Sequence, residues 1–115
     1  MTRLSLLVLR CSDIEATRSF YELLGLRFER QRHGSGPEHF ASEDSDVIVE
    51  LYPAIDARAV STERLGFVVA SLEHTVTTIA ARGGRVRSKP ALSEFGFRAV
   101  IEDPDGRAVE LVQGW

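Results

Sequence analysis

Two matching tripeptides, Val49-Glu50-Leu51 and Val109-Glu110-Leu111, place a carboxylate in the middle of an apolar, β-prone run. Such a group is expensive to bury unless a proton, a metal ion or a basic side chain meets it. Side chains alternate along a strand, so each glutamate points away from its two apolar neighbours. One buried glutamate with a raised pKa would also suit a proton carrier. Of the three histidines, His39 lies on the segment before Glu50, His33 at a glycine-rich turn and His74 on the outer face of a helix. A set of His39, Glu50 and Glu110 would have the facial character of a non-haem iron site, whereas the plainer role of His39 is to line a pocket or its rim. Tyr52, Phe40, Phe95, Phe97 and Trp115 are candidates for an aromatic pocket, with core packing as the alternative for each. Phe20, Tyr21, Phe28 and Phe67 read as core. The segment from Ser93 to Phe97 holds Gly96 and two aromatics, which suits an edge that stacks on a planar ligand, and Arg98 beside it suits an anionic one. Cys11 has no neighbouring histidine to activate it and reads as packing.

The elements that carry these residues follow from periodicity. Leu4–Arg10 is a strand buried on both faces. Ser12 or Asp13 caps a helix over 13–24 that Gly25 ends. Leu26–Gln31 alternates as a strand, 33–37 is a turn, His39–Ser42 is a short strand and Val47–Tyr52 a strong one. Ala54–Thr62 lacks a pattern and reads as a linker. Then come a strand at Leu65–Val69, a helix at Leu72–Arg82 capped by Ser71 and stopped by Gly83-Gly84, and strands at 85–88, 98–102 and 107–113. The turn Asp103-Pro-Asp-Gly106 joins the last two strands.

This order is an internal repeat. A shift of 58 positions lays Ile14 on Leu72, Thr17 on Thr75, Gly25 on Gly83 and Arg27 on Arg85, and two further positions lay Glu50 on Glu110. The repeat predicts one domain over 1–115, with halves of about 1–57 and 62–115. Its fold class is α+β.

The motifs Asp13-Ile-Glu, Ser19-Phe-Tyr21 and Leu24-Gly25-Leu, followed in the second half by Glu102-Asp-Pro-Asp-Gly-Arg-Ala-Val-Glu110-Leu, resemble the paired signatures of the vicinal oxygen chelate superfamily, which joins glyoxalases, bleomycin-resistance proteins and extradiol dioxygenases. The resemblance implies two tandem βαβββ modules forming a curved, cup-like mixed sheet with the helices outside, a ligand site within the cup, and a homodimer. It also implies a divalent ion held by one residue from each of four strands. Glu50 and Glu110 match the two final-strand positions. The first-strand positions fall on Leu6 and Arg64, which the 58-residue shift pairs with each other. Leucine has no donor atom, and arginine stays cationic and does not ligate metals. Half of the implied ligand set is therefore missing. A guanidinium can take the charge role of an ion by pairing with a carboxylate, so an Arg64–Glu110 or Arg64–Glu50 contact is expected, against the alternative that Arg64 faces water in the linker.

Composition sets the outer bounds. The chain has 115 residues, 14 Lys and Arg against 17 Asp and Glu, and one cysteine. There is no basic excess to neutralise phosphates, so no nucleic-acid partner is expected. The local run Arg82, Arg85, Arg87 and Lys89 is a solvated face or an anion-binding rim. A lone cysteine excludes an internal disulfide and fits the cytoplasm. The first ten residues read as a strand rather than a signal peptide, and no segment approaches a membrane span.

Three functions fit these residues. The first is a small-molecule-binding protein of the glyoxalase/bleomycin-resistance type that lacks the usual metal centre, expects no cofactor and sequesters a ligand or drug through Glu50, Tyr52, Arg64, Glu110, His39, Phe97 and Arg98. The second is a metal-dependent lyase, isomerase or dioxygenase, in which Zn, Ni, Mn or Fe is held by Glu50, Glu110 and His39. The third is metal-free acid–base catalysis. Whether the chain is an enzyme stays open among them.

Overall fold

The computed structural model describes residues 1–114, so Trp115 lies outside the described residues. The chain divides into two compact units, Met1–Ser61 and the segment from Thr62 onward. The fold is α+β, and each unit runs βαβββ. The first comprises β1 (Leu6–Cys11), α1 (Ile14–Glu22), β2 (Glu29–Gln31), β3 (His39–Ser42) and β4 (Ile48–Pro53). The second comprises β5 (Leu65–Val69), α2 (Leu72–Ala81), β6 (Arg85–Ser93), β7 (Gly96–Glu102) and β8 (Ala108–Gln113). Each unit forms one four-stranded mixed sheet, ordered β1-β4-β3-β2 in the first and β5-β8-β7-β6 in the second. In both, the first strand pairs parallel with the last and the other neighbours are antiparallel. No helix of the described residues is long and apolar enough to cross a membrane.

Local chemistry sets the helix ends. The Asp13 carboxylate accepts the backbone N–H groups of Glu15 and Ala16 at 3.0 and 3.1 Å, so Asp13 rather than Ser12 is the cap. The Ser71 hydroxyl accepts the N–H of His74 in the same role. After α2 the chain reverses at Gly83, whose φ of +83° suits glycine, and a Cβ on Gly84 would lie 2.4 Å from Ile79 Cγ2.

Each helix packs on one face of its own sheet, α1 on β3 and β4 and α2 on β6, β7 and β8. That face carries Leu9, Cys11, Val49 and Leu51 in the first unit and Ala99, Ile101, Val109 and Leu111 in the second, all buried. Alternation then turns Glu50 and Glu110 to the opposite face of their sheets.

Three sequence expectations change. β1 is not buried on both faces: Leu6 is 48% exposed, because the crossover helix covers only the side that carries Leu9 and Cys11. The strand expected from Leu26 begins at Glu29, since the Leu26 N–H still bonds the Tyr21 carbonyl at the end of α1. The strand expected to stop at Ser88 runs on to Ser93 through Pro90. Its place at the sheet edge tolerates a residue with no N–H, and the register slips between Val86 and Ala91. The patternless stretch after β4 contains a short 3-10 turn, Ala57–Ala59, capped by Asp56.

A buried ionic knot fixes the start of β8. The Arg107 side chain is fully buried, and its Nη1 donates to Asp103 Oδ2 at 2.8 Å while its Nε donates to Glu63 Oε1 at 3.2 Å. Asp103 Oδ1 also accepts the N–H of Asp105 and of Arg107 itself, each at 3.0 Å. The knot ties the β7–β8 turn to the residues that lead into β5, three residues before Glu110.

Candidate functional site

Glu110 stands on the helix-free face of the second sheet, opposite Gly66 on β5 and Val100 on β7. Arg64 Nε donates to its Oε2 at 3.4 Å, and Arg98 Nη2 donates to its Oε1. Both oxygens of one carboxylate are thus held by guanidinium groups. The hydrogen bond from Arg64 pushes the Glu110 carboxyl below the ordinary carboxylate range; desolvation opposes this, and the positive charge of Arg98 reinforces it. This direction is opposite to the raised pKa that a buried glutamate acting as proton carrier would need.

Beside the pair lies an open hollow of about 340 Å³ lined by Gly66, Phe67, Val68, Phe95, Arg98, Glu110 and Val112. Gly66 sets its floor. It lacks a side chain directly opposite Glu110, and a Cβ there would meet only ordinary contacts at 4.0 Å. Phe95 is presented at the tip of the β6–β7 hairpin, where the Ser93 hydroxyl accepts the Phe95 N–H at 3.1 Å and donates to the Gly96 carbonyl at 2.8 Å.

The first unit carries the corresponding positions with different chemistry. Register makes Ala41 the partner of Glu50, as Val100 is of Glu110. His39, two residues before Ala41, therefore occupies the place of Arg98. By the same registers Tyr52 corresponds to Val112, Arg10 to Val68 and Val8 to Gly66. The Tyr52 ring stacks on His39 at 4.1 Å, and the Arg10 guanidinium lies 4.8 Å from the Tyr52 ring centre. His39 Nδ1 lies 3.3 Å from the Pro37 carbonyl, which can only accept, so Nδ1 is the donor there, and Nε2 lies 3.3 Å from the Tyr52 hydroxyl. Glu50 approaches Nε2 only to 3.9 Å. Here side chains fill the face that Gly66 and Val68 leave open in the second unit.

The residues singled out from sequence thus fall into two groups. Glu50, Tyr52 and His39 meet in the first unit, and Arg64, Glu110 and Arg98 meet in the second. Phe97 belongs to neither: alternation places it on the sheet face opposite Arg98, and Phe95 lines the hollow instead. Phe40 is buried beneath Arg18 and Arg30. Within the basic run near β6, Arg87 Nε donates to Glu102 at 2.7 Å and Arg85 approaches the same carboxylate at 3.7 Å. Gly66, Val68 and Val112 escaped the sequence reading. The available signal was a glycine inside an apolar strand, which marks a close approach or a missing wall.

The donor set does not fit a divalent ion at Glu110. Its two oxygens face guanidinium groups, and a third cation there would meet like charge. Among the described residues no group of three or more His, Cys, Asp or Glu is placed to hold a metal.

The chain matches the family model of the glyoxalase/bleomycin resistance protein/dioxygenase superfamily over residues 3–111. No curated protein matches it in sequence. Among solved structures, TnmS3, an antibiotic-binding protein from Streptomyces sp. CB03234, is similar with a TM-score of 0.79 and 19% identity, over 100% of this chain and 98% of that one. TioX from Micromonospora sp. ML1 is similar with a TM-score of 0.75 and 15% identity, over 99% of this chain and 100% of that one. A glyoxalase I mutant from Zea mays is similar with a TM-score of 0.78 and 20% identity, over 97% of this chain but 44% of that one. The chain belongs to the glyoxalase/bleomycin resistance protein/dioxygenase superfamily.

Proposed function

We propose that the protein binds a small organic molecule in the hollow of its second unit and holds it without a metal ion and without turnover. The observation that carries this reading is the double clamp on Glu110. At a position where the family resemblance implies a metal ligand, both carboxylate oxygens are engaged by Arg64 and Arg98, beside an open, largely apolar hollow. Guanidinium charge takes the electrostatic place of the ion, and the apolar lining supplies the contact surface. Superfamily membership and a fold shared with an antibiotic-binding protein support sequestration of a small ligand. The resemblance adds a homodimer, which sedimentation at micromolar concentration checks.

A metal-dependent lyase, isomerase or dioxygenase is the second reading. It rests on His39 and Glu50, whose polar atoms lie 3.9 Å apart. The two readings part in a thermal-stability titration of chelator-treated protein with Zn, Ni, Mn and ferrous iron, run on the wild type and on Glu50→Gln. A ligand bound only by the folded state raises the melting temperature. No saturable rise is expected with any of the four ions. A stoichiometric ion that stabilises the wild type and is lost in Glu50→Gln would establish the metal-dependent reading instead.

A further inference from the structure

The charges around the hollow do not balance. Arg64, Arg98 and Glu110 make two cations and one anion, and both oxygens of that anion are already engaged. A guanidinium has five N–H donors. Arg98 gives one of them to Glu110 through Nη2, and Arg64 gives its Nε–H; among the described residues neither makes another hydrogen bond within the second unit. Arg98 is part-buried, with a side chain 28% exposed, and it is the one cation in the lining. Glu110, already paired, is the anion in the lining, and the other lining residues, Gly66, Phe67, Val68, Phe95 and Val112, are uncharged. Two of these are conspicuously exposed for apolar residues, Val68 at 52% and Phe95 at 71%. Exposed apolar flanks around a partly desolvated cation with spare donors form a surface for a molecule that is apolar in body and anionic at one end.

We infer that the ligand of this hollow is an organic anion with a flat apolar body, such as an aromatic carboxylate, whose charged end meets the spare N–H groups of Arg98 while its ring lies against Val68, Val112 and Phe95. The inference rests on the small-molecule reading above and names the ligand class for that site. A neutral ligand would offer Arg98 a weaker, uncharged acceptor, and an organic cation would meet two guanidinium groups around a carboxylate whose oxygens are both engaged. A bare inorganic anion would leave the apolar flanks uncovered. The volume, near the lower end of small-molecule pockets, suits one or two rings. The equivalent face of the first unit lacks this chemistry: His39 stands where Arg98 does, and the Tyr52 ring is sandwiched between His39 and Arg10.

The test is calorimetric titration of the wild-type protein with three probes of one shape: naphthoate, naphthamide and naphthylmethylammonium. Naphthoate is expected to bind at least about tenfold more tightly than either of the others. In Arg98→Gln that preference should fall to near parity, and in Arg98→Lys it should be partly retained. Equal or tighter binding of the amide or the ammonium by the wild type overturns the anion assignment while the small-molecule reading stands. An unchanged preference for naphthoate in folded Arg98→Gln overturns the role of Arg98. If none of the three binds at millimolar concentration, the small-molecule reading falls as well. The ranking in the wild type decides the ligand class whether or not a variant folds.

Discussion

Glu110 and Arg107 are both paired charges, yet burial makes their energetics differ. Glu110 is one-third exposed, so its pairs serve the site more than the fold. Its folded pKa lies below its unfolded value, so its contribution to stability is fully present above the ordinary carboxylate range and is lost as pH falls through the folded value. Wild type and Glu110→Gln should therefore differ in urea midpoint at pH 7 and converge as pH drops below about 4. Arg107 has no exposure, and removing it strands the fully buried carboxylate of Asp103. Arg107→Met should cost roughly 3–5 kcal/mol in chemical denaturation, far more than any change at Glu110. A loss under 1 kcal/mol would show that the knot is not a stabilising element. At this scale the sequence exposed part of the site. The family resemblance placed Leu6 and Arg64 at the first-strand ligand positions, and the repeat shift paired the two. It did not reveal that His39 and Arg98 are equivalent. That equivalence depends on which residue faces Glu50 and which faces Glu110, and so on the turn lengths that set strand register.

The helices were the most legible elements, because capping and stop residues are local chemistry. Asp13→Ala should cost about 1 kcal/mol by removing the acceptor for two N–H groups of α1. Gly83→Ala should cost about 1–2 kcal/mol, since φ is +83° there. Gly84→Ala meets a different obstacle, a Cβ 2.9 Å from the Ile79 carbonyl oxygen, and should also be destabilising although its backbone is ordinary. Thermal melts of the three variants check this order of causes. The strands were less legible. The third strand of the second unit was read as ending at Ser88, but β6 continues through Pro90 because edge position, a tertiary property, removes the need for its N–H. Likewise Leu4–Arg10 read as doubly buried because apolar content alone does not say which face a helix covers.

Over the whole chain, the repeat made the two βαβββ units readable in the sequence. The same repeat shows how they diverged: matching frames carry an arginine clamp and an open floor in one unit, and a stacked Arg10, Tyr52 and His39 in the other. Divergence of this kind is hidden in sequence because Val8 and Gly66 differ only in size, and the consequence of that size appears only beside Glu50 and Glu110. Gly66→Val would give the second unit the first unit's wall, at a position with room for a Cβ. The most direct test of small-molecule binding in the second unit is an amide-resolved NMR titration with a mixed panel of aromatic acids, amides and amines, on the wild type and on Gly66→Val. Shifts should cluster at Gly66, Val68, Phe95, Arg98 and Val112 in the wild type and vanish in Gly66→Val. Shifts confined to Val8, His39 and Tyr52, or none with any compound, would contradict a ligand site in that hollow.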